Sequence, residues 1–110
     1  MSVLDEKVIA ELNELMGDDY ITVFEAFTRS ADQAVQELKQ AVENNDINAV
    51  ETITHTLKGS SANIGAKKLS QICAEMLEDA RNATTVKFNT HLDMVVSEYG
   101  DVYESIKNLV

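Results

Sequence analysis

Apolar residues recur along this chain at alternating steps of three and four, which places their side chains on one face of an α-helix. One short helix is predicted over residues 4 to 16, ending at Gly17. Four longer segments follow, each with a single apolar stripe and each separated from the next by a few polar or glycine residues. No segment alternates apolar and polar residues with a period of two, so the pattern predicts no β-strand.

The stripes also name the residues expected in the core. The first helix contributes Val8, Ile9, Leu12, Leu15 and Met16. The second contributes Tyr20, Phe24, Phe27, Ala31, Ala34, Leu38 and Ala41, and the third Ile47, Val50, Thr54, Leu57, Ser61 and Ile64. The fourth contributes Leu69, Ile72, Cys73, Met76, Leu77 and Ala80, and the last Phe88, Leu92, Val95, Tyr99, Val102, Ile106 and Leu109. Asp18 and Asp46 precede the second and third helices and are predicted to cap them.

Helices with one apolar stripe bury it against neighbouring helices, and short connections favour antiparallel neighbours. The predicted fold is therefore all-α: an antiparallel up-and-down four-helix bundle with a short N-terminal cap helix. No linker rich in glycine, serine or proline interrupts the chain, so residues 1–110 are predicted to form a single domain.

The chain has 19 acidic and 9 basic residues, for a net charge of −10. Such a chain is not expected to have nucleic acid or an anionic membrane as its main partner. Its first residues lack the basic and apolar regions of a signal peptide, and no stretch approaches the roughly 18 apolar residues of a membrane span. We therefore expect a cytoplasmic protein, and a monomer.

One histidine is predicted to point away from the core. A helix advances about 100° per residue, which places His55 about 130° from the centre of the third stripe. Its neighbours on that outer face, one or two turns away, are Glu51, Thr52, Lys58, Gly59 and Ala62. A histidine that fills core space would lie on the stripe instead.

The charge around His55 differs from that of the rest of the chain. No acidic residue occurs from Thr52 to Ala74, and this window contains Lys58, Lys67 and Lys68. The pattern predicts a locally positive surface on an acidic protein, although chance clustering would also explain it.

An exposed imidazole beside a lysine suits phosphoryl chemistry. Imidazole is a good nucleophile near neutral pH, and Lys58 at i+3 would stabilise the negative charge of an added phosphoryl group. Gly59 and Ala62 would leave room for another protein to approach the ring. The chain has no glycine-rich phosphate loop and no kinase motif, so the phosphoryl donor is expected to be a partner protein.

The segment THTLKGSSANIGAKKLSQICAEMLE resembles the signature of histidine-containing phosphotransfer (HPt) domains, which carry H-x-x-K-G-[SA]-[SA] and a further glycine before an amphipathic helix. The matching residues are His55, Lys58, Gly59, Ser60, Ser61, Gly65 and Leu69. The family's four-helix bundle with an N-terminal cap helix agrees with the predicted fold. The chain looks like a free-standing bacterial member.

The resemblance implies a phosphorelay intermediate, a phosphohistidine carrier rather than an ATP-dependent kinase. Nε2 of His55 would accept a phosphoryl group from an aspartyl phosphate on a receiver domain of a hybrid sensor kinase, and would pass it to an aspartate of a response regulator. Lys58 would hold the phosphoryl oxygens. No cofactor is expected on this chain, and Mg²⁺ would be bound by the receiver. Receiver docking would involve Gly59, Ala62, Glu51, Thr52, Lys67 and Lys68.

The rival hypothesis is a helical adaptor that binds a partner without chemistry, but it gives no reason for the outward His55, Lys58 and Gly59. A metal site is not expected, because His55, Cys73 and His91 show no recognised ligand spacing. We interpret His91 as a partly exposed surface group and Cys73 as an inert core thiol. Met94 is interpreted as core filler.

Overall fold

The computed structural model describes residues 3–109, and the helices account for most of them. They are α1 (Glu6–Met16), α2 (Tyr20–Glu43), α3 (Ile47–Asn63), α4 (Lys67–Arg81) and α5 (Phe88–Lys107), with a 3₁₀ turn at Gly17–Asp19 between α1 and α2. Residues 3–109 contain no β-strand, so the predicted all-α class is confirmed. Within the same range, no helix combines the length and the apolar character that crossing a membrane requires.

The four long helices form a closed bundle. α2 packs on α3, α3 on α4, α4 on α5, and α5 returns to α2. Because only a few residues join each helix to the next, consecutive helices run antiparallel. α1 lies outside this ring and contacts α2, which confirms the predicted bundle with an N-terminal helix.

The predicted core is confirmed most fully in α4, where all six stripe residues are buried. In α2 the prediction of Ala34 was wrong by one position: Val35 is buried and Ala34 only half-buried, because the larger side chain fills the core at this turn. In α5, Met94 is 40% exposed and not core filler. The predicted α1 stripe is also wrong at its end, since Leu15 is 82% exposed.

The two predicted helix caps have different outcomes. The carboxylate of Asp46 accepts a hydrogen bond from the Ala49 N–H at 3.1 Å, so this cap is confirmed. Asp18 does not cap α2. The 3₁₀ turn leads directly into that helix, and the N–H of Tyr20 bonds to the carbonyl oxygens of Gly17 and Asp18. No aspartate side chain is needed there because backbone acceptors already lie in position.

The N-terminal segment is fastened to the turn between α3 and α4. The N–H of Asp5 donates to the carbonyl oxygen of Gly65 at 2.9 Å, and the Asp5 carboxylate lies 2.6 Å from the Lys67 ammonium. Gly65 has a φ of +81°, and a Cβ there would lie 3.1 Å from atoms of Asp5 and Val8. Only glycine fits both the backbone and the close approach. This contact holds α1 at the end of the α3–α4 hairpin.

Candidate functional site

The buried face of α3 determines where its other side chains point. Val50, Thr54, Leu57 and Ser61 are buried at steps of four, three and four. His55 directly follows a buried position, and its side chain is exposed, as predicted. Lys58, Gly59 and Ala62 are exposed on the same helix, and Thr52 is exposed one turn before the histidine. The sequence-predicted group on α3 therefore forms one continuous outer face.

The inner side of α3 is held by polar as well as apolar contacts. The buried Thr54 hydroxyl donates to the Val50 carbonyl oxygen at 2.7 Å, which satisfies it within its own helix. Ser61 is fully buried where α3 packs on α4, so its small size serves packing. The Ser70 hydroxyl of α4 donates to the Lys58 carbonyl oxygen at 2.8 Å. This bond joins α4 to the part of α3 that carries Lys58.

The fold itself does not require glycine at position 59. Gly59 has ordinary right-handed helical geometry, and an added Cβ would meet no atom within 4 Å. Glycine inside a helix costs about 1 kcal/mol relative to alanine. Neither the backbone geometry nor the packing around Gly59 therefore accounts for this cost. Gly100 of α5 is equally unconstrained but lies on a different helix, so it provides a control position.

The three lysines of the acid-free window have different surroundings. Lys67 pairs with Asp5 at 2.6 Å, and Lys68 lies 3.7 Å from Glu98. Within residues 3–109, the Lys58 ammonium has no side-chain hydrogen bond or ion pair. Of these three lysines, Lys58 lies on the same helix as His55, while Lys67 and Lys68 lie at the start of α4 beside carboxylates.

Glu51 is the acidic residue nearest to His55 along α3, one turn before it. It is half-buried, and its carboxylate lies 3.6 Å from Nε of Arg81 at the end of α4. The guanidinium offsets the only negative charge within a turn of His55 on this helix. Sequence reasoning missed Arg81, because its partner is 30 residues away along the chain and no local spacing connects them.

A shallow groove of about 230 Å³ lies between α2 and α3. Its walls are mostly polar and are formed by Ser30, Gln33, Ala34, Glu37, Thr52, Ile53 and Thr56. The hydroxyls of Thr52 and Thr56 donate to carbonyl oxygens of α3, at 3.1 and 3.2 Å, so both are satisfied within their own helix.

The second histidine does not match its predicted environment. His91 is only 8% exposed, so its interpretation as a surface group is wrong. Its Nδ1 lies 3.3 Å from the carboxylate of Asp79, and its Nε2 lies 3.8 Å from that of Glu75. Both carboxylates belong to α4, whose side chains close over the ring. The described residues contain no group of three or more side chains arranged to hold a metal ion.

The cysteine prediction is confirmed. Cys73 is fully buried on the core face of α4, and this burial raises the pKa of its thiol to about 12. The thiolate is the reactive form of cysteine. Cys73 is therefore an inert core residue at neutral pH.

Comparison with known proteins relates this geometry to a family. The Hpt domain model matches residues 22–104. Histidine-containing phosphotransfer protein 1 of Oryza sativa subsp. japonica is 28% identical over 107 residues, covering 93% of this chain and 73% of the rice protein.

Solved structures lead to the same family. Histidine-containing phosphotransfer protein B from Pseudomonas aeruginosa PAO1 superposes with a TM-score of 0.92 at 28% identity, covering 96% of this chain and 91% of that one. The maize protein ZmHP2 superposes with a TM-score of 0.85 at 24% identity, covering 96% and 86%, and it supports the fold alone. Together with the family match over three quarters of its length, these likenesses show that this chain belongs to the Hpt domain family.

Proposed function

We propose that this chain carries a phosphoryl group on His55 between receiver domains of a multistep phosphorelay. The observation that supports this most strongly is the exposed face of α3, where an imidazole lies beside a lysine without a partner among the described residues and a glycine that the fold does not require. Membership of the Hpt domain family supports the same role. A passive adaptor would need neither the imidazole nor the glycine.

The proposed step is an in-line transfer. The unprotonated Nε2 of His55 attacks the phosphorus of an aspartyl phosphate, a P–N bond forms, and the P–O bond to the aspartate breaks. Its electron pair returns to the aspartate, which leaves as a carboxylate, and the imidazole loses its ring proton to solvent. Transfer onward reverses these changes on a second receiver. Phosphoryl transfer of this kind depends on positioning and charge stabilisation more than on covalent chemistry.

Lys58 is the proposed phosphate-stabilising residue. At i+3 its ammonium reaches the side of the helix on which His55 lies, and it is not engaged with a carboxylate among residues 3–109. A phosphoryl group adds close to two negative charges at neutral pH, so a nearby ammonium forms charge-assisted hydrogen bonds with its oxygens. The Arg81–Glu51 pair keeps the closest carboxylate on α3 from opposing this charge.

Gly59 and Ala62 form the centre of the proposed receiver-docking surface, and Thr52 and Glu51 lie at its edge. Lys67 and Lys68 belong to its rim at the start of α4, where their charges act at longer range because both lie beside carboxylates. Any side chain longer than that of alanine at position 59 would stand between the incoming receiver and the imidazole. This supports a steric reason for the glycine.

The proposed partners are receivers of hybrid sensor kinases and of response regulators. Mg²⁺ would be held by the acidic pocket of the receiver, with no cofactor bound by this chain. The proposal also includes a monomeric state and a cytoplasmic location. Sedimentation equilibrium tests the first of these: a mass well above 12.2 kDa would contradict it.

The central test is incubation with receivers that have been phosphorylated beforehand, in the absence of ATP. We expect acid-labile, alkali-stable label on this chain, and mass spectrometry under alkaline conditions should locate the phosphoryl group on His55. If several receivers transfer no label, or if the label lies on another residue, the proposed function is wrong.

A further inference from the structure

A second cavity lies at the end of the bundle where the N-terminal segment, the start of α4 and the last half of α5 meet. Its volume is about 430 Å³, within the range of small-molecule sites. Charged side chains dominate its walls: Asp5, Lys67, Lys68, Glu98 and Asp101. None of these residues belongs to the exposed face of α3.

Glu98 is the unusual member of this group. Its side chain is 6% exposed, although it is a carboxylate that the interior can accommodate only at a cost. Its closest charged neighbour is the Lys68 ammonium, at 3.7 Å from Oε1, which is beyond hydrogen-bond distance. The other oxygen, Oε2, is buried and receives no hydrogen bond from residues 3–109. One carboxylate therefore has one loosely held oxygen and one oxygen without a donor.

The side chains that line the cavity carry more negative than positive charge. Three carboxylates (Asp5, Glu98 and Asp101) face two ammonium groups, which leaves one negative charge in excess. Lys67 is engaged with Asp5 at 2.6 Å and cannot serve Glu98 at the same time. Lys68 is held weakly, and its side chain is 73% exposed, so it can move into solvent at little cost.

Movement of Lys68 would also enlarge the site. Lys68 and Glu98 line both this cavity and a neighbouring one of about 260 Å³ next to Ile72 and Met94. The pair thus forms the boundary between two cavities. If the ammonium leaves, the carboxylate opens toward a charged chamber on one side and a partly apolar one on the other.

We propose that this cavity is a binding site for a guanidinium group, with Glu98 as its principal ligand. A planar guanidinium donates two parallel N–H bonds and so matches both oxygens of one carboxylate, which a lysine ammonium does not. Asp101 provides a second negative charge at the mouth, and Val3 offers apolar contact to an alkyl stem. The guanidinium can come from a small molecule or from an arginine side chain of another protein. The proposal does not rest on phosphoryl transfer at His55, although Lys67 and Lys68 line this cavity and also belong to the rim of the proposed receiver-docking surface.

The primary test is NMR titration of the full chain with propylguanidinium. Amide resonances of Gly65, Lys68, Glu98 and Asp101 should shift and saturate. Propylurea has the same shape without the charge and should cause no saturable shift, and propylammonium should bind at least about threefold more weakly, because it makes single rather than paired hydrogen bonds. Equal binding of the ammonium and the guanidinium, or no saturable shift with either, would overturn the proposal.

Variants separate a built site from general attraction to an acidic protein. Glu98→Gln should weaken binding at least about tenfold, whereas Glu104→Gln, an exposed position on the same helix, should leave it unchanged. Glu98→Gln should fold normally, because a buried amide costs less than a buried carboxylate. Equal affinity of the two variants for propylguanidinium would exclude Glu98 as the ligand.

Removing the competing Lys68 ammonium should change the affinity in the direction opposite to Glu98→Gln. Lys68→Ala should tighten binding, since Lys68 must leave Glu98 before the guanidinium enters. Lys87→Ala removes the same charge elsewhere on the surface and should have a clearly smaller effect. If both lysine variants tighten binding equally, the ligand responds only to net charge and the proposed competition does not occur.

The two possible sources of the guanidinium are separated by the same titration with a blocked Gly-Arg-Gly peptide. Tighter binding than that of propylguanidinium indicates that backbone contacts add to the site and that a protein arginine is its ligand. Weaker binding indicates a small molecule. Both results retain Glu98 as the guanidinium ligand, and the Glu98→Gln variant checks each of them.

Discussion

The chain contains two histidines, and the bundle surrounds them in opposite ways. His55 is exposed on α3 with Lys58, Gly59 and Ala62 on the same face, and its imidazole forms no hydrogen bond or ion pair with a described residue. His91 is buried in the seam between α4 and α5, with a carboxylate near each ring nitrogen. A nucleophile must be reachable and must keep a free nitrogen, which only the first environment allows.

The comparison also indicates which of the two sites contributes to the stability of the fold. The environment of His91 consists of contacts within the chain, so its loss should be felt in folding. The environment of His55 consists of small residues and open space, so its loss should be felt only when a partner is present. Stability and transfer are expected to respond separately to changes at the two sites.

The largest expected effect is at His55. Replacing it by glutamine removes the only proposed nucleophile, so transfer from a phosphorylated receiver should fall by at least about a thousandfold. Because the side chain is exposed and has no partner among the described residues, the free energy of unfolding should change by less than about 0.5 kcal/mol. Labelling kinetics and urea unfolding measure the two quantities. Residual transfer at the normal rate would mean that the nucleophile is another residue.

The next effect concerns Gly59, with Gly100 as its control. Glutamine at either position improves helix propensity and its Cβ meets no atom within 4 Å, so each variant should be equally stable or slightly more stable, by up to about 1 kcal/mol. Gly59→Gln should nevertheless slow transfer about 10- to 100-fold, because the receiver cannot reach the productive distance. Gly100→Gln should transfer at the wild-type rate.

This pair of variants distinguishes obstruction from a general effect on the helices. If both variants slow transfer equally, the cause is not docking at α3. If neither does, Gly59 has no steric role and the receiver approaches from another direction.

A smaller and purely structural effect is expected at His91. His91→Ala leaves a void beside α4 and removes the neighbour that lies 3.3 Å from the Asp79 carboxylate. The free energy of unfolding should fall by about 1–3 kcal/mol. Transfer by the folded fraction should be unchanged. Loss of transfer in protein that remains fully folded by circular dichroism would show that the α4–α5 seam influences the His55 face.

The smallest effect is a pH dependence at Asp5. The hydrogen bond from the Lys67 ammonium, together with that from the Lys7 N–H, holds the pKa of the Asp5 carboxyl below its ordinary value of 3.8. A lowered pKa in the folded state means that the contribution is present above pH 3.8 and is lost as the pH falls through the lower, folded-state value. Since the pair is exposed, salt should weaken it.

Asp5→Asn isolates this contribution because asparagine still caps α1. In urea unfolding, wild type should be slightly more stable than the variant at pH 6. The difference should shrink as the pH falls below 3.8. A difference that stays constant over this range would mean that the ion pair contributes nothing and that the effect arises from capping.

A structural feature of this chain was predictable from the sequence when the residues that determine it are close together along the chain. The stripe of α4 was predicted completely because the period of a single helix determines which residues share a face, and α4 has bundle neighbours on that face. The same period placed Leu15 on the apolar face of α1, but helical periodicity does not show whether another helix packs against that face. Leu15 lies in the last turn of α1, and it is exposed.

The functional face was predictable for a similar reason. His55, Lys58 and Gly59 are close in sequence, and helical geometry alone brings them together. His91 was misjudged because Asp79 approaches it across a turn from another helix. The pairs Lys67–Asp5 and Lys68–Glu98 join distant parts of the chain, so no local pattern indicates that these lysines have partners.

The attachment of α1 has a consequence for hydrogen exchange. This helix has no buried residue, and its polar ties to the hairpin come from Asp5 through Gly65 and Lys67. Such an element can detach while the rest of the bundle remains closed, so its amides should exchange much faster than those of α2–α5. The amides of α1 should thus be weakly protected from exchange, and those of α2–α5 strongly protected. A long-lived phosphohistidine on α3 would depend only on the strongly protected helices.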